Sequence, residues 1–323
     1  MSRSRGIAKV DTTTRTAIRP GAIFALILLC LLCSARGVDR PNVLFIAIDD
    51  LRDWVGFLGG YEGEIHTPNI DRLAARGTAF TNAHTASPVC CPSRAAALSG
   101  KLPSTTGIYN NQHWWKPHMP DLVTIPGYFK ANGYQVIGSG KIFHHTAGNN
   151  PPGEWHAYFR HPFEDNGWIR KAPLYPFNRS MPTPEGFPFS GIKMYSGEVD
   201  WGVLDKPEAD CDDARCVAFA VEQLGRQHSR PLFLACGIFH PHLPWYTPRA
   251  DVDRYPADRI ALPEAPTDDL DDVPREARKL ALRKSDDLAR LREAGKWRIA
   301  VQHYLASISF ADRQVGRLLD ALD

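Results

Sequence analysis

The chain has 323 residues, of which 43% are hydrophobic and 23% charged, an ordinary globular composition that suits one large domain or two small ones. Its formal net charge is +2, and residues 1–37 carry six basic side chains against one acid, so the remainder is mildly acidic. A mildly acidic body excludes an electrostatic case for nucleic-acid binding, and the sequence has no repeat that would indicate a solenoid.

The N-terminus predicts export. A basic stretch leads into an apolar run at residues 22–33, which is short for a membrane span and fits the core of a signal peptide. Ser34, Ala35 and Gly37 are small residues that offer a cleavage site. We therefore predict a signal peptide at residues 1–37, a secreted or periplasmic protein and no stable membrane span. An uncleaved anchor and a start downstream of Met1 stay open as alternatives.

Signal cleavage leaves five cysteines, and an odd number in an exported protein raises the question of which one is chemically special. Cys211 and Cys216 lie near the start of one predicted helix and are candidates for a disulfide. Cys236 lies in an apolar run, which predicts a role in core packing.

The first predicted elements are a strand and three short helices. Residues 42–48 form a continuous apolar run, typical of a strand buried on both faces of a parallel sheet. Residues 67–77 predict a helix with Thr67 as N-cap, a proline in the first turn and a terminal glycine. Residues 92–98 and 124–132 predict two more helices, each closed by a glycine.

The second half of the chain continues the alternation of strands and helices. In chain order we predict a strand at 134–138, surface loops at 146–200, a helix at 212–224, a buried strand at 231–239, a charged loop with an exposed helix at 263–297, and a long amphipathic helix at 298–322. Strands alternating with helices predict a doubly wound α/β sheet, in which sites gather at the carboxyl ends of the strands. The chain stops where the next strand is expected to begin.

Polar side chains lie directly after each predicted strand. Asp49 and Asp50 come after the first strand, and two adjacent carboxylates repel each other unless a cation such as Ca²⁺ or Mg²⁺ compensates. Lys141 and His144 come after the second strand, where they suit anion binding or proton transfer. The segment that contains His240 and His242 comes after the third. A turn or solvated loop is the alternative for each group taken alone.

Cys90-Cys91-Pro92-Ser93-Arg94 lies at a predicted helix start. Free backbone N–H groups at that position favour an anion, and the guanidinium of Arg94 suits a sulfate or phosphate oxyanion. The alternative is a small buried cysteine with Arg94 on the surface.

Five segments together carry a resemblance to a known family. They are residues 40–52, 66–74, 89–94, 140–144 and 241–244. On these motifs the chain resembles the type I sulfatases of the alkaline phosphatase superfamily, and within them the iduronate-2-sulfatases. The resemblance implies an alkaline-phosphatase-like fold, in which helices sandwich a doubly wound, mostly parallel sheet. It also implies hydrolysis of a sulfate ester on a glycan, such as a 2-O-sulfated uronic acid.

The resemblance assigns the nucleophile and the metal ligands. A maturation enzyme that reads Cys-x-Pro-Ser-Arg would oxidise Cys90 to formylglycine, since only Cys90 has proline at +2 and arginine at +4. Asp49, Asp50 and an oxygen of the modified Cys90 would bind Ca²⁺, with Mg²⁺ as the less favoured ion. One hydroxyl of the hydrated aldehyde would attack sulfur, and the second would later expel sulfate.

The resemblance also assigns the groups around the sulfate. Arg94 and Lys141 would stabilise charge on the sulfate oxygens. His242 would protonate the leaving alcohol, and His144 would assist the modified residue. Candidate sugar contacts are His113, Trp114, Trp115 and His240.

The chain departs from the family pattern beyond the long helix. In the family an Asp-His pair, a further lysine and a smaller subdomain come there, so residues 38–323 are expected to form a partial catalytic domain. His240 stands where many relatives carry lysine. A phosphodiesterase or phosphonate hydrolase of the same superfamily, and an inactive chain that at most binds glycan, remain as alternatives.

Overall fold

A four-stranded parallel sheet organises the chain. The computed structural model describes residues 40–144, 149–159, 189–192, 199–205, 207–266, 268–281 and 287–323, so the predicted signal peptide lies outside the described residues. The strands are β1 Val43–Ile48, β2 Gln135–Gly140, β3 Ala157–Phe159, β4 Trp201–Leu204, β5 Leu232–Ile238 and β6 Trp245–Pro248. The helices are α1 Pro68–Arg76, α2 Cys90–Ser99, α3 Pro103–Thr106, α4 Trp115–His118, α5 Ile125–Ala131, α6 Asp212–Leu224, α7 Arg249–Val252, α8 Arg275–Ala281, α9 Asp287–Glu293 and α10 Trp297–Asp320.

The strand order in the main sheet is β1-β5-β2-β3, and all three strand pairs are parallel. β4 and β6 form a separate two-stranded parallel ribbon. β2 and β5 pair in parallel, although β3, β4 and α6 lie between them in the chain, so their carboxyl ends lie at the same edge of the sheet. The prediction of a doubly wound α/β sheet is confirmed.

Alternate residues of β5 face two separate hydrophobic cores. Phe233 and Ala235 pack in a core that includes Ala95 and Leu98 of α2. Leu232, Leu234, Cys236 and Ile238 pack in a second core, whose helical residues come from α6 and α10. Helices therefore cover both faces of the sheet, as predicted. Cys236 is fully buried in the second core, which confirms its packing role.

The N-terminus of α1 is capped by a residue far away in sequence. Thr67 precedes the helix, but its hydroxyl accepts a hydrogen bond from the N–H of Gly56 at 2.8 Å instead of capping its own helix. The carboxylate of Asp312 in α10 accepts from the N–H groups of Asn69 at 3.0 Å and Ile70 at 2.8 Å. The capping prediction for the Thr67 side chain is wrong, because a tertiary carboxylate satisfies these donors.

β1 packs against a core on each face, as predicted, but its residues are less buried than those of β5. Within the described part of the chain β1 pairs with β5 alone, so it is an edge strand, and all six of its residues are half-buried. A continuous apolar run indicates that both faces of a strand are covered by helices, but it carries no information about a second neighbour.

The loop predictions hold only in part. The predicted loop region 146–200 contains β3, which pairs with β2, although much of that region lies outside the described residues. The charged region 263–297 contains two short helices, α8 and α9, instead of one. Cys211 and Cys216 do not form a disulfide. They lie five residues apart at the start of α6, a spacing that sends side chains to different sides of a helix. Among the described residues, no helix is long and apolar enough to cross a membrane.

Candidate active site

The carboxyl ends of β1, β2 and β5 meet the N-terminus of α2 at one end of the sheet. The N–H of Asp49 donates to the carbonyl of Ile238 at 3.0 Å, and the N–H of Lys141 donates to the carbonyl of Gly237 at 3.1 Å. These bonds extend the strand pairing one residue beyond each strand. They bring Asp49 and Lys141 to the two sides of the end of β5.

Two glycines permit this close approach. Gly140 has φ +70°, and a Cβ added there would lie 2.0 Å from the carbonyl oxygen of Gly237. A Cβ added at Gly237 would lie 2.3 Å from the backbone of Lys141. Both contacts are far below van der Waals distance, so only glycine allows the two strand ends to pack this closely.

The buried carboxylate of Asp49 forms ion pairs with two cations. Nη2 of Arg94 lies 2.5 Å from its Oδ1, and Nζ of Lys141 forms an ion pair with its Oδ2. Burial alone would raise the pKa of Asp49, but the charges of Arg94 and Lys141 outweigh burial and hold the pKa of that carboxyl well below its usual range.

Cys90 is the first residue of α2 and is half-buried, with its Sγ 3.9 Å from Nζ of Lys141. Burial raises the pKa of the Cys90 thiol. Ligand atoms of Asp49, Cys90 and His242 all lie within 4.8 Å of one another. In an oxidised residue the position of this Sγ would be taken by an oxygen.

Cys91 faces away from this cluster. It is buried, and its Sγ lies 3.3 Å from both the carbonyl of His113 and Oδ1 of Asn149. Its N–H donates to Oδ1 of Asn111 at 2.9 Å. Burial raises the pKa of the Cys91 thiol to about 12. Of the two adjacent cysteines, only Cys90 is therefore directed at the charged groups.

Arg94 uses the rest of its guanidinium to hold the loop after β2. Nη1 donates to the carbonyls of Lys141 at 2.5 Å and Ile142 at 2.8 Å. Because the planar group contacts two backbone carbonyls and one carboxylate at once, it fixes the position of Lys141 relative to Asp49.

Asp50 faces solvent more than Asp49 does. It is exposed and has φ 56°, a left-handed backbone conformation that is uncommon for a residue other than glycine. Its Oδ2 lies 3.7 Å from Nε2 of His242, and its carbonyl accepts from the hydroxyl of Tyr304 at 3.0 Å. Partial burial and the charge of Asp49 raise the pKa of Asp50.

His144 and His242 are buried next to the cations. Burial and the charge of Lys141 lower the pKa of His144 to about 3 and also lower the pKa of His242. Nδ1 of His242 lies 2.5 Å from the carbonyl of Leu243, which can only accept. Nδ1 therefore carries the proton, and Nε2 is directed at Asp50.

The cluster borders a cavity of about 500 Å³, whose lining includes Asp49, Asp50, Cys90 and Arg94. A cavity of this size accommodates a ligand as large as a sugar ring. Apolar residues of β1 and α2 form the other walls.

The four candidate sugar contacts do not share this cavity. Trp115 is 1% exposed, with its Nε1 donating to the carbonyl of Asn149, and His240 is also 1% exposed. Both side chains are held by contacts inside the protein and do not line the cavity, and their role as sugar contacts stays a prediction. His113 and Trp114 are half-buried. His113 hydrogen-bonds with both ring nitrogens inside its own turn.

The donor set suits a hard divalent cation. Carboxylate oxygens of Asp49 and Asp50 are ligands that Ca²⁺ and Mg²⁺ prefer, and an oxygen in place of the Cys90 Sγ would add a third. The ligand atoms of Asp49, Cys90 and His242 form a possible metal-binding group. The described residues supply fewer oxygens than the six to eight that Ca²⁺ usually takes.

Several residues that shape the site were not among the predicted ones. Asn111 and Asn149 hold Cys91, and Phe239 lies beneath Lys141, with the ammonium 4.6 Å from the ring centroid. Asp213 binds the loop after β5. Its only signal in the sequence is an Asp-Asp pair at a helix start, which usually indicates capping.

The parallel sheet with helices on both faces is an alkaline-phosphatase-like fold, and the cluster lies at the carboxyl ends of its strands. The sulfatase family model matches residues 41–323, so the chain belongs to the sulfatase family. It is 37% identical over 301 residues to a sulfatase of Formosa agariphila, a match that covers 89% of this chain and 56% of that protein. It is 32% identical over 330 residues to the iduronate 2-sulfatase of Homo sapiens, covering 94% of this chain and 56% of that enzyme.

Solved structures agree on the fold. A 2-O GAG sulfatase superposes with a TM-score of 0.54 at 22% identity, covering 88% of this chain and 54% of that one. The phosphonate monoester hydrolase of Agrobacterium radiobacter superposes with a TM-score of 0.60 at 19% identity, and the match covers 88% of this chain and 59% of that one. The chain therefore has the fold of these two proteins, and it spans about half the length of the curated relatives it matches.

Proposed function

We propose that this protein hydrolyses sulfate esters through a formylglycine made from Cys90. The observation that carries the proposal is the placement of Cys90 within 4.8 Å of Asp49 and His242, beside Lys141 and Arg94. A hydrated aldehyde at Cys90 supplies one hydroxyl to attack sulfur and a second to expel sulfate afterwards.

The cations bind and orient the sulfate group. Lys141 lies beside Cys90 Sγ, so it is within reach of a sulfate oxygen at the attacking residue. Arg94 holds Asp49 and the carbonyl of Lys141, and thereby keeps both charges at fixed positions. Fixed cations stabilise developing charge without reorganising during the reaction.

The two histidines move protons. His242 presents Nε2 to the cluster and, once Nε2 has taken up a proton from solvent, is the group that protonates the leaving alcohol. Its lowered pKa makes its protonated form a stronger acid than an ordinary imidazolium. His144, buried beside Lys141, exchanges a proton with the modified residue.

Asp49, Asp50 and the oxygen of the modified Cys90 would hold Ca²⁺, with Mg²⁺ as the second choice. The ion would add positive charge opposite the sulfate oxygens. Asp49 has a lowered pKa, so it is available as an ionised ligand throughout the physiological range.

The proposed substrate is a sulfated glycan, such as one that carries a 2-O-sulfated uronic acid. Similarity to the iduronate 2-sulfatase of Homo sapiens supports this choice. A signal peptide at residues 1–37 would export the protein, and a maturation enzyme that converts Cys90 would be its obligatory partner.

The test is mass spectrometry of the Cys90 peptide, combined with turnover of 4-nitrocatechol sulfate, after expression in a host that contains the converting enzyme. We expect the mass of the Cys90 peptide to fall by about 18 Da, because an aldehyde group, CHO, replaces CH₂SH. We also expect the converted protein to release sulfate from the ester. Cys90→Ala should abolish turnover. Unmodified cysteine throughout would refute the formylglycine route.

The same assay separates the alternatives. Faster turnover of a phosphonate monoester than of the sulfate would favour the phosphonate hydrolase, whose structure also resembles this fold. A converted Cys90 with no turnover of either ester would favour a chain that only binds glycan.

A further inference from the structure

Asp213 lies behind the candidate site and binds the loop that carries His242. It is the second residue of α6 and is 1% exposed. Its Oδ1 accepts from the N–H of Phe239 at 2.7 Å, and its Oδ2 accepts from the N–H of His240 at 3.0 Å. A buried carboxylate with several N–H donors is a strong local tether, since each bond is charge-assisted.

The side chain of His240 completes this tether. Its Nδ1 lies 2.7 Å from Oδ2 of Asp213, and its Nε2 lies 3.2 Å from the carbonyl of Tyr246 in β6. The ring also packs edge-on against Phe310 of α10, with 4.9 Å between the ring centroids. His240 therefore links α6, β6 and α10 through a segment that leads directly into the site.

Phe239 transmits this anchoring to His242 and also contacts Lys141. Its carbonyl accepts from the N–H of His242 at 3.0 Å, and the two rings lie 4.6 Å apart. The ammonium of Lys141 lies over the face of the same phenyl ring and makes a cation–π contact with it. A shift of Phe239 would therefore displace His242, whereas Lys141 keeps its ion pair with Asp49 and the hydrogen bond from Arg94 to its carbonyl.

We infer that Asp213 and His240 are positioning residues for His242, the proposed general acid. The inference rests on the proposed function and deepens it. Neither residue is among those that line the cavity, and both are 1% exposed. They act through the backbone of Phe239 and His240, where a displacement of a fraction of an ångström is costly to proton transfer.

The test compares Asp213→Asn with Asp212→Asn. Asp212 is the preceding residue of the same helical turn and is 2% exposed, and its described ion pair goes to Arg215 of its own helix at 3.9 Å. An asparagine at 213 keeps the shape of the side chain but has one accepting oxygen, whereas the carboxylate of Asp213 offers two oxygens to the donors of the loop. Asp212→Asn therefore controls for loss of a buried charge at the same helix terminus.

The activity readout uses two esters that differ in leaving group. A sugar sulfate needs a proton on its departing alkoxide, whereas 4-nitrocatechol sulfate releases a stable phenolate. We expect Asp213→Asn to lower kcat on the sugar sulfate about 30-fold, part of the 100-fold or more that general acid catalysis supplies. On the aryl sulfate we expect a loss of less than about 3-fold, since His242 contributes little there. Equal losses on both esters would mean a merely structural role and would overturn the inference.

Hydrogen exchange gives a readout that needs no activity. Asp213→Asn should remove the protection of the Phe239 and His240 amides, and Asp212→Asn should not. Unchanged protection in Asp213→Asn would overturn the inference even if turnover falls. If wild-type protein with a converted Cys90 hydrolyses neither ester, the proposed function fails, and exchange still tests the tether.

A second pair of variants covers the case in which Asp213→Asn does not fold. His240→Asn retains an N–H donor near Nδ1, and His240→Leu removes it. The inference requires that His240→Asn keeps more sugar-sulfate turnover and more protection of the Phe239 amide than His240→Leu. No difference between the two variants would contradict it.

Discussion

Arg94 divides one guanidinium between a carboxylate and the backbone. One side pairs with Asp49, and the other donates to two carbonyls of the loop after β2. Lysine is a point charge with a flexible stem, so it cannot make these contacts together. The position of Lys141 therefore depends on a residue that sequence reasoning assigned only to anion binding.

We predict that Arg94→Lys lowers kcat/KM for an aryl sulfate by about 100-fold, the usual loss when a fixed donor to developing charge is removed. Steady-state kinetics on matured protein measures this loss. Arg72→Lys is the control, because Arg72 pairs with Asp320 at the surface and lies outside the site. Activity of Arg94→Lys within about 3-fold of wild type would show that charge alone suffices at this position.

At the scale of elements, the polar residues that come after the predicted strands lie together because parallel strands end at one edge. That rule anticipated Asp49, Lys141 and His242 as neighbours. It could not reveal that His240 and Trp115 are buried, since an exposed loop and a core contact have the same local pattern. Nor could it reveal that β1 is an edge strand, since pairing between distant segments leaves no local signal.

Capping of α1 by α10 gives a prediction about stability. Asp312 accepts from two helical N–H groups and from Nδ2 of Asn69 at 2.8 Å. We predict that Asp312→Ala lowers the free energy of unfolding by about 2 kcal/mol, because it leaves buried donors without a partner. Urea denaturation measures the change. Asp320→Ala, which removes an exposed ion pair, should change stability by less than about 0.5 kcal/mol.

Close packing of β2 against β5 gives a second prediction at this scale. Gly140→Ala would place a Cβ 2.0 Å from the Gly237 carbonyl and would also strain a residue with φ +70°. We predict a loss of more than about 2 kcal/mol in the free energy of unfolding. Thermal denaturation tests it, with Gly153→Ala as control, since a Cβ at Gly153 meets no atom within 4 Å. A stability equal to that of the control would contradict the prediction.

At the scale of the whole molecule, one sheet separates two hydrophobic cores and carries the candidate site at one end. Stability therefore rests on the two cores and on α10, which lies in contact with α1, α6 and β6.

His303 connects global stability to pH. It lies in α10 and is buried, and burial lowers its pKa from 6.5 to about 4. The folded state then binds fewer protons than the unfolded state between these values, so its stability is full above pH 6.5 and falls as the pH drops toward 4. We predict that replacing His303 with non-titrating leucine reduces the loss of unfolding free energy between about pH 7.5 and about pH 5 by about 2 kcal/mol.

Urea denaturation at both pH values measures this difference. His118→Leu is the control, since His118 is exposed at the end of α4 and should leave the pH dependence unchanged. The other buried histidines with lowered pKa values, His144 and His242, remain in both variants, so some acid sensitivity persists. An unchanged slope in His303→Leu would mean that His303 is protonated in the folded state without cost. Its surroundings in α10 would then have to contain water or an acceptor close to the ring.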